Sequence, residues 1–285
     1  MTLLGTIFKI SRPHFWLYLA GPWLVGWAAG AHGRAPLPWM DLAFWQGFLF
    51  FLGPANFFLY GINDFFDADT DAFNAKKSDK EHRLRDTERR VIRWSLLITV
   101  MVSVLYYLTL QGWPTRLLFV IWFALSFFYS APPLRFKARP FLDSGSNILY
   151  ALPGFLAYFI SVGARGGAPL PIWVWLACGL WTAAMHLFSA IPDIEADQQA
   201  GLSTTATVLG ERWSLALCCG LWLNVAALLG LHVAGFFPAI LIWIYPMMAL
   251  LPVLRPALTI RRVYWWFPWV NGGMGFVLFG WAVLR

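Results

Sequence analysis

Residues 42 to 71 read Leu-Ala-Phe-Trp-Gln-Gly-Phe-Leu-Phe-Phe-Leu-Gly-Pro-Ala-Asn-Phe-Phe-Leu-Tyr-Gly-Ile-Asn-Asp-Phe-Phe-Asp-Ala-Asp-Thr-Asp. The first part, 42 to 60, is apolar enough and long enough to cross about 30 Å of hydrocarbon as a helix. It delivers an asparagine and four aspartates to one of its ends. A helical bundle in the membrane, with its chemistry at one face, is therefore the expected architecture. On an α-helix Asn63, Asp67 and Asp71 recur at i, i+4 and i+8 and lie nearly in line, with Asp64 at the side of the same arc of roughly 100°. Asp69 points the other way. Carboxylates brought together repel one another unless a cation lies between them, and hard oxygen ligands suit Mg2+. The bland alternative is a solvated acidic helix end.

The rest of the chain agrees with a membrane setting. Of 285 residues, 59% are apolar and only 12% charged, with 18 Trp and 25 Phe, which marks an integral membrane protein and not a soluble domain. Apolar stretches fall at about 15–31, 42–60, 94–110, 117–130, 147–162, 172–191, 213–233, 239–254 and 266–284. The expected fold class is thus all-α, a bundle of nine transmembrane helices forming one domain over 1–285. The first stretch carries no A-x-A-like cleavage site and is expected to be a retained helix, not a signal peptide. Cys178, Cys218 and Cys219 sit inside apolar spans without metal or disulfide spacing and read as core residues.

In a soluble protein a net charge of +7 would suggest nucleic acid; here its distribution decides. With nine spans, all of the 21 Lys and Arg except Arg34, Arg116, Arg165 and Arg285 fall on the side of the N-terminus. The positive-inside rule places that side in the cytoplasm. All acidic residues except Asp41 lie there too.

Around the opening stretch, several residues are candidates for a shared site. Arg12, before Pro13 in a short amphipathic lead-in, either anchors a helix end among headgroups or binds an anion. Tyr60 and Asn56, three and seven residues before Asn63, project from the same face, deeper in the bundle. Asn56 is expected to line a cavity or to make an interhelical hydrogen bond, because an amide in a membrane bundle needs a partner. The polar loop 72–93 is expected to cap the cytoplasmic face, with Lys76 and Lys77 near whatever the carboxylates hold. Downstream, Tyr129-Ser-Ala-Pro-Pro-Leu-Arg-Phe-Lys137 carries paired prolines that end a helix and favour an extended turn. In an extended turn Arg135 and Lys137 point to the same side, where they bind an anion or merely add to the cytoplasmic positive charge.

A second acidic set closes the stretch 172–191. Asp193 and Asp197 form an i, i+4 pair with Glu195 on the far side, repeating the arrangement of Asp67, Asp69 and Asp71. One D-x-x-x-D is a weak signal, whereas two acidic sets, each ending an even-numbered helix on the same face, are a strong one. His186, seven residues before Asp193, lies on its face two turns deeper, as a packed interhelical donor or a functional group. Trp265, Trp266 and Trp269 read as an interfacial belt.

Two carboxylate sets among lysines and arginines describe a site for an anion too negative to meet carboxylates without divalent ions between them, such as a diphosphate. The apolar bundle below it calls for a hydrocarbon tail, so a prenyl diphosphate satisfies both halves. Ionising it demands electrostatic stabilisation of the leaving pyrophosphate, and the allylic cation must be kept from water and faced by aromatic rings; Tyr60 and Tyr129 are candidates.

At these residues the chain resembles the UbiA superfamily of intramembrane prenyltransferases. The first motif matches N-D-x-x-D-x-x-x-D as Asn63, Asp64, Asp67 and Asp71; the second matches D-x-x-x-D as Asp193 and Asp197, followed by Gly201 and Thr205. The turn with Tyr129, Ser130, Arg135 and Lys137 is similar as well. The resemblance implies Mg2+ held by both sets and phosphates met by Lys76, Lys77, Arg135 and Lys137, with Arg12 a further anion contact. Gln198 departs from the pattern, which has Arg or Lys after the last aspartate.

Four stretches, Ser11–Pro22, Leu59–Asp64, Asn74–Lys77 and His186–Asp193, look most like the carotenoid branch, the lycopene elongase/hydratases. That resemblance implies dimethylallyl diphosphate as donor, a lycopene-like acceptor, and a final cation quenched by water or by proton loss; because the bundle offers no strong base at depth other than His186, that residue or the pyrophosphate is the candidate proton acceptor. The alternative is an aromatic, quinone-type polyprenyltransferase using the same metal site. A cation-coupled transporter is disfavoured, since it calls for charges near the bilayer midplane and broken helices in matching halves. The expected setting is a bacterial or archaeal cell membrane with the N-terminus and site mouth cytoplasmic, and no protein or nucleic-acid partner is implied.

Overall fold

In lipid an apolar segment has to satisfy its amides within itself, which leaves the helix as the available form. The computed structural model describes residues 3–31, 41–67, 86–163, 168–233, 241–255 and 257–284, and among them it contains helices and turns and no strand. Two compact units result, Met1–Arg135 with Leu149–Pro169, and Phe136–Ile148 with Leu170–Leu284.

The first unit holds α1 (Leu3–Ile10), α2 (Leu17–Ala31), α3 (Leu42–Leu52), α4 (Pro54–Asp67), α5 (Asp86–Thr109), α6 (Trp113–Phe128) and α7 (Leu152–Gly163). Its tightest seam is α2 against α7: a Cβ on Gly26 would lie 1.9 Å from the Gly154 carbonyl oxygen, and one on Gly30 would lie 2.8 Å from Ser161 Cβ. Only glycine allows this approach, and membrane helices rely on such contacts because lipid offers little hydrophobic drive between them. Asp41 caps α3 by accepting from the Ala43 amide at 2.9 Å. Pro54 has no amide hydrogen, so the ladder breaks between α3 and α4. Asn56 sits fully buried at that break and donates to the carbonyls of Phe51 at 2.6 Å and Leu52 at 3.2 Å.

The second unit holds α8 (Ile172–Ala190), α9 (Thr205–His232), α10 (Ile244–Leu254) and α11 (Ile260–Leu284), with short turns at Leu142–Gly145 and Ile194–Gln199. Phe188, Trp222, Tyr245 and Phe267 form its aromatic core, with ring centroids 5.4 Å apart for Phe188 and Trp222 and 5.2 Å for Phe188 and Phe267. Thr204 and Thr207 close a reciprocal cap at the start of α9. The three cysteines are unpaired, and the Cys218 thiol approaches the Ala184 carbonyl. Trp265, Trp266 and Trp269 are all exposed on α11.

Among the described residues helices lie in each of the apolar stretches, but nine membrane spans are not borne out by their lengths. By length and apolarity six segments among the described residues qualify as membrane spans: Leu42–Asp67, Glu88–Thr109, Leu142–Gly163, Ile172–Gln199, Thr205–His232 and Ile260–Leu284. The other three stretches hold the shorter α2, α6 and α10. One boundary is corrected. The loop expected over 72–93 ends earlier, because α5 starts at Asp86; charged residues do not stop a helix once it has left the lipid, and 72–85 lie outside the described residues.

Candidate active site

In the first unit α4 is helical through Asn63, Asp64 and Asp67, where the described residues end. Asp64 and Asp67 are 2% and 0% exposed, and Asn63 is half-buried beside them. Among the described residues each carboxylate meets a guanidinium: Arg12 Nη2 is 3.0 Å from Asp64 Oδ1, and Arg135 Nη2 is 3.3 Å from Asp67 Oδ1. The Asn63 amide donates to Asp67 Oδ2 at 2.8 Å and to Ser130 Oγ at 2.9 Å. Both arginines adopt positive φ, 50° for Arg12 and 41° for Arg135. Non-glycine residues reach that region at a cost of about 1 kcal/mol or more. Two of the three non-glycine residues found there among the described ones are thus the counter-ions of the motif.

This geometry corrects the reading of the proline turn. Arg135 is left-handed and its amide donates to the Ala131 carbonyl at 3.0 Å, while Phe136–Ala138 forms a 3-10 turn that contains Lys137. The segment is coiled, so the alternation of an extended chain does not relate Arg135 to Lys137. Tyr129 is half-buried at the end of α6.

One turn deeper on α4, Tyr60 is buried beneath Arg12, whose Cζ lies 4.6 Å from the ring centroid. Its hydroxyl lies 3.4 Å from that of Tyr150, just before α7. Phe15 and Tyr18 complete the surround, 5.2 Å apart, with Phe15 6.0 Å from Tyr60 and Tyr18 6.1 Å from Tyr150.

In the second unit Asp193 ends the 3-10 turn Ile191–Asp193, and Asp197 lies on the following helical turn. Both are half-buried, while Glu195 and Gln198 are exposed. Gly201, at φ 68°, closes that turn: its amide donates to Gln198 O at 3.1 Å and the Leu202 amide to Asp197 O at 2.8 Å. That pair of bonds is the Schellman arrangement, which demands a residue free to adopt positive φ. His186 Nδ1 lies 3.3 Å from Ser144 Oγ. Next to Ser144, Asp143 is fully buried and accepts from the Thr205 amide and the Ser144 amide, both at 2.7 Å, and from the Thr205 hydroxyl.

Asp71, Lys76 and Lys77 lie outside the described residues. Among those described, no group of three His, Cys, Asp or Glu side chains forms a ready metal cluster. The donor chemistry of Asn63, Asp64 and Asp67 nevertheless suits a hard cation, because all three offer side-chain oxygens on one side of a helix end.

Comparison with known proteins adds the family. Residues 19–268 match the UbiA prenyltransferase family. The chain belongs to this family. It is 43% identical to a lycopene elongase/hydratase of Halobacterium salinarum across 98% of both chains. A protein of the same name from Haloferax volcanii is 41% identical over 94% of this chain and 85% of its own length. The fold is that of UbiA proteins: a homolog from Archaeoglobus fulgidus, solved with GPP and Mg2+, superposes with a TM-score of 0.70 at 21% identity, covering 98% of this chain and all of that one. The same homolog with DMAPP and Mg2+ gives 0.68 at 22% identity, covering 98% and 99%. This UbiA protein is a prenyltransferase by family, and its sequence resembles the lycopene elongase/hydratases along nearly its whole length.

Sequence reasoning passed over two groups that the structure brings forward. These are Asp143 and Tyr150. Their partners, Thr205 and Tyr60, are 62 and 90 residues away, which no local spacing reveals.

Proposed function

We propose that the protein transfers a dimethylallyl group from dimethylallyl diphosphate to the end of a lycopene-like carotenoid, with water addition or proton loss completing the reaction. The observation that carries this reading is the 41–43% identity, over nearly the full chain, to proteins named lycopene elongase/hydratase. Asn63, Asp64, Asp67, Asp71, Asp193 and Asp197 are the residues we assign to Mg2+, which when bound supplies positive charge to the diphosphate.

The chain's own residues then act as follows. Arg12, Arg135, Lys137, Lys76 and Lys77 hold the diphosphate and stabilise charge as the allylic C–O bond breaks with its electron pair on pyrophosphate. Tyr60 and Tyr129 face the allylic cation, and the surrounding bundle excludes bulk water. The terminal double bond of the acceptor gives its pair to the cation, forming a carbon–carbon bond and leaving a tertiary cation. Water captures that cation, or a neighbouring proton leaves to His186 or to pyrophosphate. Asn56 supports the acceptor channel from the break above α4. We further assign the N-terminus and the site mouth to the cytoplasmic side of a bacterial or archaeal cell membrane, from the distribution of Lys and Arg.

Membranes containing the protein, incubated with Mg2+, labelled dimethylallyl diphosphate and either lycopene or 4-hydroxybenzoate, test the acceptor. Label is expected in a lengthened carotenoid. Label appearing only in the aromatic acid would replace this reading with that of a quinone-type prenyltransferase.

A further inference from the structure

We propose that Tyr60 and Tyr150, with Tyr18 beside them, form the binding site for the water that quenches the final cation. The inference rests on the prenyl-transfer reading above and adds the residues that decide between its two endings.

Three observations support it. The Tyr60 and Tyr150 hydroxyls lie 3.4 Å apart, long for a hydroxyl pair, whose usual separation is about 2.7–2.8 Å. Tyr18, whose ring lies 6.1 Å from that of Tyr150 and 5.2 Å from that of Phe15, is the third phenol of the group. The two hydroxyls come from α4 and the segment before α7 and meet with the Tyr18 ring of α2, the Phe15 ring and the Arg12 guanidinium nearby. A polar spot with several donors and acceptors inside an apolar bundle is what an ordered water needs, since such waters make about three hydrogen bonds.

The position also fits the chemistry. The tertiary cation forms two bonds from the carbon that carried the diphosphate, so the quenching water has to lie close below the carboxylates. Tyr60 is four residues before Asp64, one helical turn of about 5.4 Å. Water held there attacks with an oxygen lone pair, forming the C–O bond. The oxonium passes one proton to a phenol oxygen, which gives up its own proton toward the pyrophosphate released in the first step. Atoms and charge balance without a further reagent. Without the water, the same cation loses a proton from a neighbouring carbon and yields an alkene.

The test is product partition. The purified protein in proteoliposomes, given Mg2+, dimethylallyl diphosphate and lycopene in heavy-oxygen water, is assayed for hydroxylated against dehydrated prenylated carotenoid. Tyr150→Phe and Tyr18→Phe each remove one hydroxyl, and the ratio of hydroxylated to dehydrated product is expected to fall roughly 3- to 10-fold, whatever the total turnover. Tyr106→Phe, a buried tyrosine stacked on Phe50, should keep the wild-type ratio. An unchanged ratio in both Tyr150→Phe and Tyr18→Phe, or an equal fall in Tyr106→Phe, overturns the water site. Absence of any lengthened carotenoid from the wild-type protein overturns the underlying transfer reading instead.

Discussion

Asp67 is fully buried, yet its partner Arg135 keeps 36% of its side chain exposed. Removing the carboxylate therefore leaves a guanidinium that can turn to water, so Asp67→Ala should remain folded in the membrane. It should lose prenyl transfer, as should Asp193→Ala, whereas Glu195→Ala, at an exposed position, should be mild. Radiolabel transfer together with gel filtration in detergent distinguishes loss of chemistry from loss of fold. If Glu195→Ala is as damaging as Asp193→Ala, the assignment of the second set to one helical face is wrong. Asp143 poses a different case, since Thr205 supplies two of its donors. Thr205→Val removes the hydroxyl donor from a buried carboxylate and should cost about 2 kcal/mol, the value of a hydrogen bond to a charged group. Denaturation in mixed micelles reads this, and an unchanged midpoint would show that Asp143 finds another donor. The side of α4 that carries Asn63, Asp64 and Asp67 was legible from spacing alone. The counter-ions were not: Arg12 and Arg135 lie 52 and 68 residues from their carboxylates, and both depend on a positive φ that no residue type announces.

At the scale of elements, apolar runs located the helices because lipid penalises any other backbone state. Their ends were less legible. Pro54 breaks the run 42–60 into α3 and α4, and α5 continues into charged residues down to Asp86. The turn after α6 is coiled where an extended one was expected: proline restricts its own φ and the residue before it, but the coil is closed across the proline pair by the bond from the Arg135 amide to the Ala131 carbonyl. The seam between α2 and α7 gives a sharp expectation. Gly26→Ala places a methyl 1.9 Å from the Gly154 carbonyl oxygen, while Gly21→Ala meets nothing within 4 Å. Gly26→Ala should cut the yield of folded protein severely and Gly21→Ala should not, as fluorescence-detected gel filtration would show. Equal tolerance would mean that α2 and α7 are not packed backbone to backbone.

At the scale of the whole molecule, a helical UbiA fold carries two acidic sets, at the end of α4 and just after α8, and sequence similarity to lycopene elongase/hydratases. The class of chemistry was accessible from residues because diphosphate binding needs carboxylates, cations and an apolar chamber together, and few other functions do. Acceptor identity was not, because it depends on the shape of an apolar pocket that Phe, Trp and Leu can line in many equivalent ways. Mg2+-dependent bond formation is the central claim. Purified protein in proteoliposomes should join labelled dimethylallyl diphosphate to lycopene with Mg2+, lose that activity on chelation and regain it on Mg2+ addition, and show none in Asp67→Ala or Asp193→Ala. Carbon–carbon bond formation that persists under chelation, or in either aspartate variant, would contradict it.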